Sequence, residues 1–125
     1  MRSYELDSNG HVNNAVYLGY AEELATLHAE RLGFGRAWAQ ANGGLWVVRR
    51  HEITYLLPAG YGDELELETQ VEEMRGARAV RRTTMRLLPG GRPAVEMRTE
   101  WVWVRASDGR PQRLPDALLA AFATD

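Results

Sequence analysis

Along the chain, the spacing of apolar residues switches between two periods. From Asn13 or Asn14 to about Leu32, the run "NNAVYLGYAEELATLHAERL" has helix length, good helix formers and no proline, and it predicts a helix. Its apolar residues Val16, Tyr17, Leu18, Tyr20, Leu24 and Leu27 fall on nearly every face, which predicts a largely buried helix. Gly33 and Gly35 end it, and Arg36 to Ala41 suits a second short helix, broken by Asn42-Gly43-Gly44. The pattern then becomes strand-like. Leu45–Leu57, Glu64–Met74, Ala77–Leu88 and Pro93–Arg105 read as four strands. The second alternates cleanly, with Leu65, Leu67, Thr69 and Val71 on one face and Glu64, Glu66, Glu68, Gln70 and Glu72 on the other. Turns fall at Pro58–Asp63, Arg75-Gly76, "PGGRP" and Ser107-Asp108-Gly109. Pro115–Ala123 reads as a C-terminal helix with Leu118, Leu119 and Phe122 on its apolar side. Met1–Leu6, "MRSYEL", reads as a short strand that starts abruptly, as one with part of its length upstream would.

The order is strand, long helix, then four strands joined by tight turns, which predicts an α+β fold with the last three strands in an antiparallel meander. A helix of roughly 19 residues at 1.5 Å each spans about 28 Å, enough to cover one twisted sheet. With 125 residues, a single domain over 1–125 is expected.

Composition narrows the chemistry. There is no cysteine, which excludes disulfides, thiol catalysis and cysteine-ligated metal. A net charge of −2 offers no global field for nucleic acid. No apolar run approaches a membrane span and no signal-peptide pattern is seen, so a cytoplasmic location is expected. His11, His28 and His51 stand at no metal-ligand spacing, and no metal is expected. All 15 basic residues are arginine, as a GC-rich coding sequence would produce.

The chemistry concentrates in "LDSNGHVNNAVYLGY", Leu6–Tyr20. Asn9-Gly10 is a strong hairpin signal, but the downstream side has helical rather than alternating character, so the turn leads from strand to helix with Asn13 or Asn14 as N-cap. An Asp just ahead of a helix N-terminus sits in a positive local field that favours its ionised form. Such a carboxylate can activate water or attack a carbonyl, and the helix's first free N–H groups can hold a developing oxyanion. The same Asp could instead be an Asx-turn residue that satisfies backbone N–H groups.

The stretch "YELDSNGHVNNAVYLGYAEEL" resembles the signature of hotdog-fold thioesterases of the 4-hydroxybenzoyl-CoA thioesterase-like group, and "ITYLLPAGYGDELELETQV" resembles that family's strand, proline turn, Gly-Asp and strand. The resemblance implies a single hotdog domain, a long central helix wrapped by a five-stranded antiparallel sheet. It implies hydrolysis of an acyl thioester, with Asp7 as base or nucleophile and the backbone N–H of Asn14, together with Asn13, at the oxyanion. Asn9, Gly10 and His11 take supporting loop positions. Coenzyme A belongs to the substrate, and no cofactor is needed. The plant acyl-carrier-protein enzymes also use a downstream Glu and Cys pair; this chain has Pro58-Ala59 near the equivalent turn. Partners implied are an acyl-CoA or acyl-carrier-protein thioester and a second copy of the chain, a homodimer or homotetramer joined along the strand Leu45–Leu57. A hotdog domain that binds acyl-CoA without turnover is the rival of a different class.

Other candidates carry a structural reading beside the functional one. Glu22 and Glu23 match another hotdog lineage with its carboxylate on the helix, though that lineage's surrounding motif is missing. Arg75, Arg78, Arg81, Arg82 and Arg86 form one cluster: Arg75 and Arg78, at a turn, suit the phosphates of CoA; Arg82 and Arg86 suit a cross-strand ladder with Glu64–Glu72, Glu96 and Glu100, and the ladder is preferred for the whole cluster. His28 is expected to be packed or hydrogen-bonded. Trp101 and Trp103 are expected in the core or at a subunit interface, with acyl-chain contact as the lesser alternative.

Overall fold

The computed structural model describes residues 14–60 and 62–123. Helix α1 spans Asn14–Arg31 and α2 Arg36–Ala41; strands β1 (Gly44–Tyr55), β2 (Glu64–Arg75), β3 (Arg78–Leu88) and β4 (Arg92–Arg105) follow, then α3 (Asp116–Ala123). All strand pairs are antiparallel, in the order β1-β4-β3-β2. The expected meander of the last three strands is therefore present, and β1 returns to the edge beside β4. The expected strand Met1–Leu6 lies outside the described residues.

Glycines make the tight connections. Gly76 between β2 and β3 has φ +62°, and Gly90 and Gly91 between β3 and β4 have φ +106° and +70°, a region that L side chains avoid. Gly44 at the start of β1 is required for a different reason: a Cβ there would run into the indole of Trp103, which is buried. Three register shifts interrupt the ladders, one of them between Met85 and Arg86 in the β3–β4 pairing, and the other two reset the alternation. Register shifts between Val48 and Arg50 on β1 and between Val71 and Glu73 on β2. Trp46 and Val48 are half-buried before the first bulge, and His51 and Ile53 after it.

The helix is less enclosed than its composition predicts. One stripe of α1, Tyr17, Ala21, Ala25 and His28, is buried, whereas Leu27 is 56% exposed. The reason is geometric: a sheet face covers one side of a helix, so Val16, Leu18 and Tyr20 are only partly buried at its margin and, among the described residues, Leu27 is left exposed.

The core falls into two clusters. One joins Tyr17 and Ala21 of α1 to Met85, Val95 and Met97, with Ile53, Leu65 and Leu67 packed against it. The other gathers Ala39, Trp103, Leu114, Leu118 and Phe122, with Trp38, Trp46, Val71 and Met74 around them. Between them, on the helix-facing side of the sheet, runs a polar band. His51 Nδ1 lies 2.9 Å from Thr99 Oγ1. Arg81 stands opposite Thr99 in the register, and Thr83 opposite Thr69. Arg81, Thr83, Thr99 and His28 are all buried.

The outer face of the sheet is charged. Arg78 pairs with Glu100 at 3.0 Å and Glu73 at 3.3 Å, Arg98 with Glu72 at 3.2 Å, Arg86 with Glu68 at 3.6 Å and Arg82 with Glu96 at 3.9 Å. This is the ladder that the alternation predicts. Each exposed pair contributes about 0–1 kcal/mol, so the face contributes solubility more than stability.

Candidate active site

Helix α1 starts at Asn14, directly after the loop motif. The first four N–H groups of a helix have no intrahelical partner, which leaves donors aimed out of its N-terminus. Asp7, Asn9, Gly10, His11 and Asn13 lie outside the described residues, as do the side chains of Asn14 and Ala15.

The first turns of α1 are held by Tyr17. Its ring is 3% exposed and packs 5.8 Å from Tyr55 and, edge-on, 6.4 Å from Tyr20. Burial pushes the Tyr17 phenol above its usual value, against a backbone hydrogen bond at Ala59 that lowers it. The nearby Tyr55 and Asp63 add to the rise. Ala59 is fully buried, and the turn that carries it is closed by Asp63, whose carboxylate accepts from Gly60 N–H at 2.7 Å. Tyr17 thus ties the entry of α1 to the Pro58–Asp63 turn. Sequence reading placed Tyr17 among the apolar helix residues and missed this role.

The other candidates are dispersed. Glu22 and Glu23 are exposed on α1, off its buried stripe. Arg75 and Arg78 close the β2–β3 hairpin. Strand β2 has 12 residues and spans roughly 36 Å at about 3.3 Å per step. Its start, at Leu65 and Leu67, packs with the cluster that holds Tyr17, so Arg75 and Arg78 lie at the opposite end of the sheet. Within one chain they are not brought to the N-terminus of α1, and Arg78 is engaged by Glu73 and Glu100.

His28 is packed and hydrogen-bonded, as expected. Its Nδ1 lies 2.8 Å from Arg81 Nη1, and its ring meets Phe122 edge-on at 5.2 Å. A guanidinium only donates, so Nδ1 accepts and the imidazole hydrogen sits on Nε2. Arg81 Nη1 also donates to Thr69 Oγ1 at 3.1 Å. Sequence reading grouped Arg81 with the surface arginines. The signal that separates it was present: Ala79, Arg81, Thr83 and Met85 share one period-two face. Among the described residues no cluster of three or more His, Asp or Glu side chains could hold a metal ion, and no helix is long and apolar enough to cross a membrane.

A long helix laid on one face of a four-stranded antiparallel sheet makes the described chain an α+β protein. The chain belongs to the thioesterase-like superfamily, whose sequence profile matches residues 1–122. It is 27% identical over 122 residues to the chloroplastic acyl-acyl carrier protein thioesterase ATL3 of Arabidopsis thaliana, covering 98% of this chain and 64% of that protein. It is 28% identical over 119 residues to the acyl-CoA thioester hydrolase YbgC of Escherichia coli, covering 94% of this chain and 87% of that one. The fold superposes with a TM-score of 0.85 on a thioesterase from Thermus thermophilus crystallised with coenzyme A and Zn, at 28% identity, covering 99% of this chain and 87% of that one. The chain thus spans just under two thirds of the plant relative's length.

Proposed function

We propose that the protein hydrolyses an acyl-CoA thioester to a free acid and CoA. In this reading Asp7 activates water or attacks the thioester carbon. The backbone N–H of Asn14, with that of Asn13, receives the carbonyl oxygen as its charge develops. Asn9, Gly10 and His11 shape the loop; His11 orients it by hydrogen bonding. The observation that supports the reading is that α1 is described from Asn14, which follows Asp7 closely in the sequence "LDSNGHVNN", and the first N–H groups of a helix have no intrahelical partner. The reaction needs no cofactor, because CoA enters as part of the substrate.

Acyl-carrier-protein thioesters are the second substrate class, favoured by the plant relatives. In the downstream turn this chain carries Pro58-Ala59, and it has no cysteine, which supports a reading in which Asp7 acts without a Glu and Cys pair. The ion pairs of Arg78 with Glu73 and Glu100 favour the ladder for Arg78 over a contact with CoA phosphates in the same chain.

The reading includes a homodimer. Among the described strands β1 is an edge, and Leu45, Val47, Tyr55 and Leu56 on it or just past it are 45–47% exposed. A long apolar edge left open is an association site, and pairing β1 with its copy would close it. Light scattering at micromolar concentration tests this: a fully active monomer contradicts it.

A thiol-release screen over acyl-CoAs of graded length and aryl-CoAs, repeated on acyl-carrier-protein equivalents, tests the function. Turnover of at least one CoA thioester is expected. Saturable binding of acyl-CoA with no release on any substrate would make the protein an acyl-CoA binder instead.

A further inference from the structure

The buried stripe of α1 has directional contacts at its two ends and alanine between them. At the C-terminal end, His28 Nδ1 accepts from Arg81 Nη1 at 2.8 Å. At the N-terminal end, the Tyr17 phenol oxygen accepts a backbone hydrogen bond at Ala59, and the ring lies 5.8 Å from that of Tyr55. Tyr17 and Ala59 belong to one buried cluster. The middle of the stripe is Ala21 and Ala25. Apolar contact is non-directional, and a methyl group grips weakly along a helix axis. Apolar burial therefore holds α1 on the sheet. The two polar ties, about 16 Å apart at 1.5 Å per residue, fix its place along the axis.

The tie at Tyr17 is anchored on a stiff turn. Leu56 N–H and Leu57 N–H both donate to Ala94 O of β4, at 2.8 and 3.2 Å. On the other side of Ala59, Gly60 N–H donates to the Asp63 carboxylate at 2.7 Å, and Asp63 N–H donates to Gly60 O at 3.1 Å. Ala59 itself is fully buried. A continuous path thus runs from β4 through the turn to Tyr17, which stands in the first turn of α1 with Asn14. The N–H groups of that turn have no intrahelical partner.

We propose that Tyr17 is a positioning residue: its tie to the Ala59 turn sets where the first-turn N–H groups of α1 stand, and through them the rate of the reaction. This deepens the hydrolysis reading and rests on it. Donors serve an oxyanion only within about 2.7–3.1 Å, and a misplacement of about 1 Å costs on the order of a hundredfold in rate. The carbonyl oxygen gains its charge in the transition state, so a misplaced donor lowers kcat and leaves KM. A residue that only holds the fold together would change stability and leave the kcat of the folded enzyme.

Steady-state kinetics on the best thioester of the release screen, together with amide hydrogen exchange, test the proposal. Tyr17→Phe keeps the ring and removes the phenol oxygen. It should lower kcat about tenfold and hold KM within about twofold. It should also speed exchange of the Leu18–Tyr20 amides, the first ones bonded within the helix, by about tenfold. His28→Leu removes the far tie; it should lower stability and leave kcat within about twofold. Asp63→Ala, at an exposed position, loosens the turn that carries Ala59. It should lower kcat about threefold with KM unchanged, and speed the same amides. Wild-type kcat in Tyr17→Phe, a rise of KM in place of a fall of kcat, or equal falls of kcat in Tyr17→Phe and His28→Leu would overturn the proposal. If Tyr17→Phe does not fold, Asp63→Ala decides on the same readouts. If the wild type releases no thiol from any substrate, the hydrolysis reading fails and exchange alone decides the tie: unchanged protection of Leu18–Tyr20 in Tyr17→Phe overturns it.

Discussion

Arg81 and Arg82 are neighbours in sequence and opposites in the fold. Arg81 is 8% exposed beneath α1, hydrogen-bonded to His28 and Thr69. Arg82 is exposed on the outer face, 3.9 Å from Glu96. The difference shows that the sheet has two faces with different rules. On the outer face, charge is cheap, its pairs are interchangeable, and the many Glu–Arg contacts keep the surface wet. On the inner face, one charge is held by named partners, and it anchors a polar band that divides the core into two apolar clusters. A buried cation retains value only while its partners remain, so its loss is felt through them as well.

Substitutions can break that contrast. Arg81→Ala should be the most damaging, at about 3 kcal/mol or more, because it strips partners from His28 and Thr69. Urea unfolding reads the loss. A cost under about 1 kcal/mol would put Arg81 in the same class as Arg82. Tyr17→Phe should cost about 1 kcal/mol, since the buried Ala59 turn loses its phenol partner. It also has a pH signature. The folded phenol titrates above the unfolded one, so its contribution is complete below about pH 10 and is lost as pH rises through the folded value. The difference in stability between wild type and Tyr17→Phe should therefore narrow above about pH 10; a constant difference would deny the shift. Arg82→Ala should change stability by no more than about 0.5 kcal/mol and leave turnover unaltered.

The strands were legible because their alternation is clean and their turns carry glycine at positive φ, at Gly76, Gly90 and Gly91. The register shifts were not read, although those on β1 and β2 have a mark: adjacent polar residues, Arg49-Arg50 and Glu72-Glu73, where strict alternation would put one inward. The helix burial was overread because apolar content reports what could be covered, and one sheet face covers one stripe. The candidate site divides the same way. The Asp7 loop is local, so its pattern shows in a short run of letters. Tyr17 and Arg81 owe their roles to contacts far along the chain, with the Ala59 turn and with His28, and no local spacing encodes those.

The most direct test of the proposed chemistry is the turnover of Asp7→Asn on the best thioester from the release screen, with folding checked by circular dichroism. A positioned base or nucleophile predicts a fall in kcat of about a hundredfold or more with the fold intact. Turnover close to wild type in a clean preparation would contradict it and move the chemistry away from Asp7.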